Sequence, residues 1–464
     1  MGILKKQNLI MILSLILWIS ITLMRIMHHS PWYDEEHAWL IAQELNLFKI
    51  INLMKIEGHT FLWYLVLIPF AKSNFMYPYS MLILNWLFCF IAILILWLKS
   101  PFNNWVKFLI SFSFPFLGLY PVVARCYAIG IMFLFAITAM DRDKLKHPNW
   151  YALLLVLCAN TSVMAIVGAT VFGLIFIYDL LKNKKKVLIP FTIMGLGAIS
   201  VIYQLFGSTK DIIWDHKSMG FWFLSNVFFQ NLKINIVILI LVFAAIVIFY
   251  IKNKLLPIFL ISTYSILFTI ICIYSGNLWH WFFFYVYFLI SSWLLFNRTD
   301  LKWKTLYISV LCMVSFFYIF YKPSEIVYNY VWQDKSKQLA EIIIKDFSQE
   351  NVNIIITAFN YYSLIPFFKD KNFQVSNYCS GKLASYDTVS FTRSKYCYAD
   401  NNTNVDLVYE QIDKVYDSSK KNIIIVVDEN KPFRLQGKDG SFLFIPKLIS
   451  DKNHICIYSI QKLN

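Results

Sequence analysis

A chain that repeats apolar runs of nearly twenty residues cannot hide all of them in a water-soluble core. Asn8 to Met27 is the first such run, and about 20 apolar residues suffice to cross a bilayer as a helix. Further runs fall at about 78–98, 105–121, 124–140, 149–160, 163–181, 187–206, 233–251, 255–274, 281–297 and 304–321. Charged residues make up only 15% of the 464 residues and hydrophobic ones 58%, whereas a soluble domain carries about 25% charged residues. The expected fold is therefore an all-α polytopic membrane domain of about 11 to 13 transmembrane helices. The formal charge of +15 does not indicate nucleic acid. Much of the Lys and Arg stands in short clusters between apolar runs, which is how cytoplasmic loops are marked.

Those clusters set a topology. Lys5 and Lys6 put the start of the first run in the cytoplasm. No small-x-small cleavage site follows it, since Met27-His28-His29-Ser30 does not fit one, so it reads as a retained anchor. Lys99 and Lys107, then Arg142, Lys144 and Lys146, then Lys182 and Lys184 to Lys186, then Lys252 and Lys254, then Arg298, Lys302 and Lys304 mark the inner connections. The outer connections are then 28–77, 121–124, 160–162, 207–232 and 275–280. The run Phe61–Ala71 is short for a span, and if it crosses, one basic cluster must face outward. Within the first outer loop, 28–60, the stretch Glu36–Leu47 suits a short amphipathic helix lying in the interface, with a second short element over Phe48–Met54.

After residue 321 the composition changes. Ser336–Phe347 and Val405–Ser418 have helical periodicity, and Asn353–Thr357 and Asn422–Val427 read as buried strands. The division expected is a membrane domain over 1–321 and a small extracytoplasmic α/β domain over 322–464. Cys89, Cys126, Cys158, Cys272 and Cys312 lie in or beside apolar runs as small core residues. Cys379 and Cys397 lie in the polar C-terminal part, where a disulfide is permitted only outside the cytoplasm. No CxxC spacing indicates a metal site.

Ionisable residues beside membrane spans are costly and mark function. Here they are few. Asp34, Glu35, Glu36 and His37 stand together in Pro31-Trp32-Tyr33-Asp34-Glu35-Glu36-His37-Ala38-Trp39. Glu57 and His59 end the same loop, Arg125 sits between two spans, Asp211, Asp215, His216 and Lys217 lie in the 207–232 loop, and His280 lies in Asn277-Leu278-Trp279-His280-Trp281. By the topology above all are on one face of the membrane. Each also has a plainer reading. Adjacent acids stabilise a helix N-terminus, Arg125 would serve as an interfacial anchor or ion-pair partner, and His59 and His280 would be interfacial polar residues. Asp215 and His216 read best as loop residues without a role. Taken together, a carboxylate that accepts a proton from a sugar hydroxyl, beside cations that hold a departing phosphate, makes glycosyl transfer from a lipid phosphate donor.

The ordered motifs resemble the integral-membrane glycosyltransferases of the GT-C fold, which include the protein O-mannosyltransferases and the bacterial aminoarabinose transferases. Trp32-Tyr33-Asp34-Glu35-Glu36 follows the first span, then Gly58-His59-Thr60-Phe61-Leu62, then Ala124-Arg125-Cys126-Tyr127, with Ala159-Asn160-Thr161-Ser162 as in poorly characterised bacterial members. The likeness covers about residues 8–325 in architecture. It implies inverting transfer of a sugar from a polyprenyl-phosphate donor to a glycan, lipid or protein acceptor, at the outer face of a bacterial inner or plasma membrane. Asp34 matches the catalytic base position, with Glu35 its acidic neighbour and rival. Arg125, His59 and His280 would bind the donor phosphate, and Glu36, Glu57 and Tyr127 the substrate. Two departures stand out: Thr60-Phe61 replaces a proline pair, and Trp279-His280 stands where related proteins often have Arg-His. The acid pair offers hard oxygen ligands of the kind that suit Mg²⁺ or Mn²⁺, but two loop acids do not make a metal site. A polysaccharide polymerase or ligase would have a longer mid-chain outer loop than 207–232. A transporter or flippase would carry charges near the centres of several spans, and most centres here are clean.

Overall fold

The computed structural model describes residues 2–29, 31, 33–185, 187–205, 263, 278–298, 308, 311–316, 335–347, 350–356, 364–369, 372–377, 382–383, 412–413, 415–427, 438–439, 442–450 and 455–463. The 207–232 loop, the 233–251 run, most of the 255–274 run, Trp32, Cys272, Cys379 and Cys397 lie outside the described residues. So does most of Val405–Ser418. The chain packs as two compact units: Met1–Met27, Leu47–Val66 and Met81–Val331 form the first, and His28–Asn46, Leu67–Ser80 and Trp332–Asn464 the second.

The described helices are α1 (Gly2–Met27), α2 (Tyr33–Glu44), α3 (Leu47–Glu57), α4 (Leu62–Lys72), α5 (Tyr79–Lys99), α6 (Asn104–Ser111), α7 (Cys126–Met140), α8 (Pro148–Ala159), α9 (Val163–Lys182), α10 (Leu188–Leu205), α11 (Leu278–Arg298), α12 (Lys335–Phe347) and α13 (Ile365–Phe368). Among the described residues, five stretches are long and apolar enough to cross a membrane: Asn8–Met27, Tyr79–Lys99, Val163–Lys182, Leu188–Leu205 and Trp279–Asn297. Leu9, Ile12, Leu13 and Ile16 on α1 and Leu188, Ile189, Leu196 and Ile199 on α10 point outward from the protein. Such rows of exposed aliphatic side chains suit hydrocarbon rather than water. The chain is an integral membrane protein.

The first unit is held by α11, most of whose residues are buried. It docks tightly on α9 because Gly168 has no side chain there: a Cβ would lie 2.7 Å from the Tyr287 ring. The Tyr287 hydroxyl donates to the Met164 carbonyl at 2.5 Å and accepts from the Gly168 N–H at 2.9 Å.

The expected span over 105–121 is not one helix. Helix α6 starts with the Asn103 side chain accepting from the Val106 N–H and stops at Ser111, before a short π-helical segment, Pro115–Leu119. Proline has no N–H to continue the helical ladder. Freed carbonyls inside a membrane protein need internal donors. Trp18 on α1 donates to the Phe116 carbonyl at 2.9 Å, Arg25 to that of Gly118 at 3.3 Å, and Asn85 on α5 to that of Tyr120 at 2.8 Å. This irregular stretch leads directly into Arg125.

The second unit is built on a seven-stranded sheet, ordered β3-β2-β1-β4-β7-β6-β5. Its strands are β1 (Val352–Ile356), β2 (Phe373–Asn377), β3 (Lys382–Leu383), β4 (Lys421–Val427), β5 (Lys438–Asp439), β6 (Phe442–Ser450) and β7 (Ile455–Lys462). Strand β1 is parallel to β2 and β4, with Ile354 opposite Val375 on one side and Ile423 on the other. The β4–β7, β7–β6, β6–β5 and β2–β3 pairs are antiparallel. Strands β1 and β4 and helix α12 were expected within a residue at each end, whereas β2, β6 and β7 were not.

Helix α2 departs most from expectation. It begins at Tyr33, so the acids form its first turn rather than a loop ahead of it. Nor does it lie in an interface with one face out: every residue from Glu35 to Gln43 is buried. Leu40 belongs to the same apolar cluster as Ile354, Ile424 and Tyr458 of the sheet. The Trp39 and Tyr77 rings pack 5.0 Å apart. Gln43 donates to Asn74, Lys72 donates to the Gln43 carbonyl, and Asn74 donates to the Pro366 carbonyl. Gln43, which makes α2 look amphipathic, is thus consumed by internal partners.

Candidate active site

The residues singled out from the sequence fall into two groups. His59, Arg125, Tyr127, His280 and Glu57 belong to the first unit, and Asp34, Glu35 and Glu36 to the second.

In the first group, α3 ends at Glu57, which is half-buried, and the chain reverses at Gly58. Gly58 has φ 68°, the left-handed conformation that glycine adopts without strain at a helix C-terminus. The turn delivers His59 into the protein interior. Arg125 is the extended residue just ahead of α7, with φ −131° and ψ 170°. Its Nη2 lies 3.1 Å from His59 Nε2.

That distance fixes a tautomer. A guanidinium has only donors, so His59 Nε2 must accept and its ring proton must sit on Nδ1. His59 Nδ1 is buried and has no hydrogen-bond partner among the described residues. Burial, then the Arg125 charge, then the neighbouring His280 hold the His59 imidazole well below its ordinary pKa. The ring is therefore neutral and offers one unused N–H.

Tyr127, in the first turn of α7, links this pair to α11. Its hydroxyl is hydrogen-bonded to His280 Nε2 at 2.7 Å. The His59 ring meets the Tyr127 ring edge-on at 5.9 Å, and Trp279 stacks on Tyr127 at 6.5 Å. The Arg125 guanidinium lies 5.9 Å from the centre of the same ring, at the outer limit of a cation–π contact. The Tyr120 hydroxyl donates to the Trp279 carbonyl at 2.9 Å and so pins the start of α11. The sequence placed Arg125, His59, His280 and Tyr127 on one face, and the structure brings them into direct contact. Trp279 was noted only as a departure from the family motif, yet it forms the aromatic wall of this cluster.

The second group is the first turn of α2. Glu35 is 0% exposed, and its Oε2 accepts from His29 Nε2 at 2.8 Å. Glu36 is also buried, whereas Asp34 is half-buried. His29 was passed over in the sequence. The signal was a titratable side chain six residues before Glu35, but nothing in spacing alone singles it out from His28. Among the described residues no group of three His, Cys, Asp or Glu side chains is placed to hold a metal ion, and no step below is routed through one.

The structure is similar to the crystal structure of ArnT from Cupriavidus metallidurans in the apo state, with a TM-score of 0.54 over 99% of this chain and 98% of that one, at 10% sequence identity. The aminoarabinose-transferase resemblance read from the motifs thus holds at the level of the fold. No family profile matches the chain, and no curated protein matches it.

Proposed function

We propose that the protein is an inverting glycosyltransferase that takes a sugar from a polyprenyl-phosphate donor and passes it to a hydroxyl of a glycan, lipid or protein acceptor. The observation that carries this reading is the Arg125–His59 pair at 3.1 Å. It combines one permanent cation with a neutral imidazole whose buried Nδ1 has no hydrogen-bond partner among the described residues. A lipid phosphate monoester needs such a mixture of charge and fixed donors, held where water does not compete. Tyr127 and His280 extend the donor set, and Trp279 and Phe283, whose rings pack on Tyr127, supply apolar surface.

Asp34 is the base. It removes the acceptor hydroxyl proton as the oxygen bonds to the anomeric carbon. The bond from that carbon to the phosphate oxygen breaks, and its electron pair leaves with the phosphate. Arg125 and the His59 N–H neutralise the charge that develops. One displacement inverts the anomeric centre and leaves no covalent enzyme intermediate. Glu35 is unsuited to the base role, because its carboxylate is buried against His29. Glu36, Glu57 and Tyr127 are assigned to substrate binding.

The reading carries a topology with it. About eleven spans, or up to 13, place the N-terminus in the cytoplasm of a bacterial inner or plasma membrane. Residues 1–321 form the transferase domain and 322–464 an extracytoplasmic domain. The test is donor turnover by the full chain in lipid vesicles. Arg125→Ala should lower kcat/KM for the polyprenyl-phosphate sugar about 100-fold, the scale of losing one charged donor to a developing anion. An unchanged value would remove the phosphate role.

A further inference from the structure

Helix α4 follows His59, and its first backbone N–H groups have no intrahelical acceptors, as at any helix start. A helix usually solves this with its own capping side chain. Thr60 is the residue type for that task, yet its hydroxyl donates elsewhere, to the Ala159 carbonyl at 3.3 Å. The N–H groups are taken up instead by two distant residues. Phe61 N–H donates to Gln204 Oε1 at 2.8 Å, and Leu62 N–H donates to the Asn160 carbonyl at 3.0 Å.

Gln204 and Asn160 are themselves locked. Gln204, at the end of α10, is 0% exposed, and Asn160 is buried just after α8. Gln204 Nε2 donates to Asn160 Oδ1 at 3.0 Å and to the Ser200 carbonyl at 3.0 Å. Ser200 Oγ donates to the same Asn160 oxygen at 3.3 Å, and Asn160 Nδ2 donates to the Val156 carbonyl at 2.9 Å. Three successive residues after His59 are therefore each tied to α8 or α10, and Gly58 supplies the turn before it. A local capping side chain would let the turn move with α4. This arrangement fixes it to two other helices.

We propose that Gln204 and Asn160 are positioning residues that hold the Gly58–Leu62 turn so that His59 stays against Arg125 with its Nδ1–H presented to the donor phosphate. The proposal rests on the phosphate-binding reading of His59, and it gives the Ala159-Asn160-Thr161-Ser162 stretch a physical task. The supported turn also explains how a site made partly from a loop can hold geometry to the tolerance that chemistry needs.

Two measurements on the full chain in vesicles test it. Gln204→Met keeps length and removes both hydrogen-bonding ends, whereas Gln204→Glu keeps an acceptor for the Phe61 N–H. Amide hydrogen exchange of the peptide spanning residues 58–62 should speed about tenfold in Gln204→Met, the protection that one buried hydrogen bond gives, and should recover in Gln204→Glu. Unchanged exchange in Gln204→Met would overturn the strap whatever the protein's activity. Sugar transfer should fall about tenfold in Gln204→Met and show no further fall when added to His59→Ala. Losses that multiply in the double variant would overturn the positioning role. Should the wild-type chain transfer no sugar from any polyprenyl-phosphate donor, the functional reading fails alone, since the exchange result still decides the strap.

Discussion

The two groups of candidate residues solve the same problem in opposite ways. Both bury ionisable side chains, which is expensive unless each is paired. In the first unit the pairing partner of His59 is Arg125, a permanent cation, so the imidazole is forced neutral and one N–H is left to use. In the second unit Glu35 accepts from His29 at 2.8 Å. The first arrangement leaves a binding capacity and the second consumes one. On the proposed reading the first arrangement receives an anion and the His29–Glu35 pair is a structural clasp, which leaves Asp34, half-buried at the start of α2, as the base.

The largest effect should come from Asp34→Asn. It preserves shape and removes the base, so transfer should fall about 10³-fold, within the usual range for losing a general base, with thermal unfolding unchanged. An equal loss in Glu35→Gln would erase the contrast between clasp and base. His59→Ala comes next. It removes one donor to a charged group, and donor kcat/KM should fall roughly tenfold to a hundredfold.

The same residue predicts a pH effect. Its folded pKa lies below the ordinary histidine value, so protonation favours the unfolded chain. The stability due to neutral His59 is complete above about pH 6.5 and is lost as pH falls from there toward the depressed folded value. Denaturation followed between pH 4 and 8 should show a shallower acid limb in His59→Ala than in the wild type. An identical limb would mean that His59 is not held neutral. Glu35→Gln should have the smallest effect, costing about 1 kcal/mol of stability and less than about threefold in transfer, since the amide oxygen still accepts from His29.

What the chain discloses before folding follows from how local each signal is. Helices α5, α9 and α10 read nearly to the residue, and α1 does so at its C-terminal end, because an unbroken apolar run is a property of neighbours in sequence. The break after α6 was missed, although Pro115 was in plain view, because apolar residues on both sides hid the lost N–H. Helix α2 was misread for a different reason. Gln43 and Glu44 make it look one-sided, and the partner of Gln43, Asn74, stands far along the chain. Strand β6 contains Pro446 at an irregular register with β7, which disrupts the alternation that marks a strand. The candidate site shows the same division. Arg125, His59 and His280 were legible because polar groups amid apolar runs need a reason to be there. That His59 pairs with Arg125, 66 residues away, and that Gln204 holds its turn are facts of tertiary structure alone.

Equilibrium binding of the released product, polyprenyl phosphate, to the wild-type chain, Asp34→Asn and Arg125→Ala tests the division of labour most directly. Asp34→Asn should bind like the wild type, because the base does not hold the phosphate, while Arg125→Ala should bind about 100-fold more weakly. Equal weakening in both variants, or none in Arg125→Ala, would contradict that division.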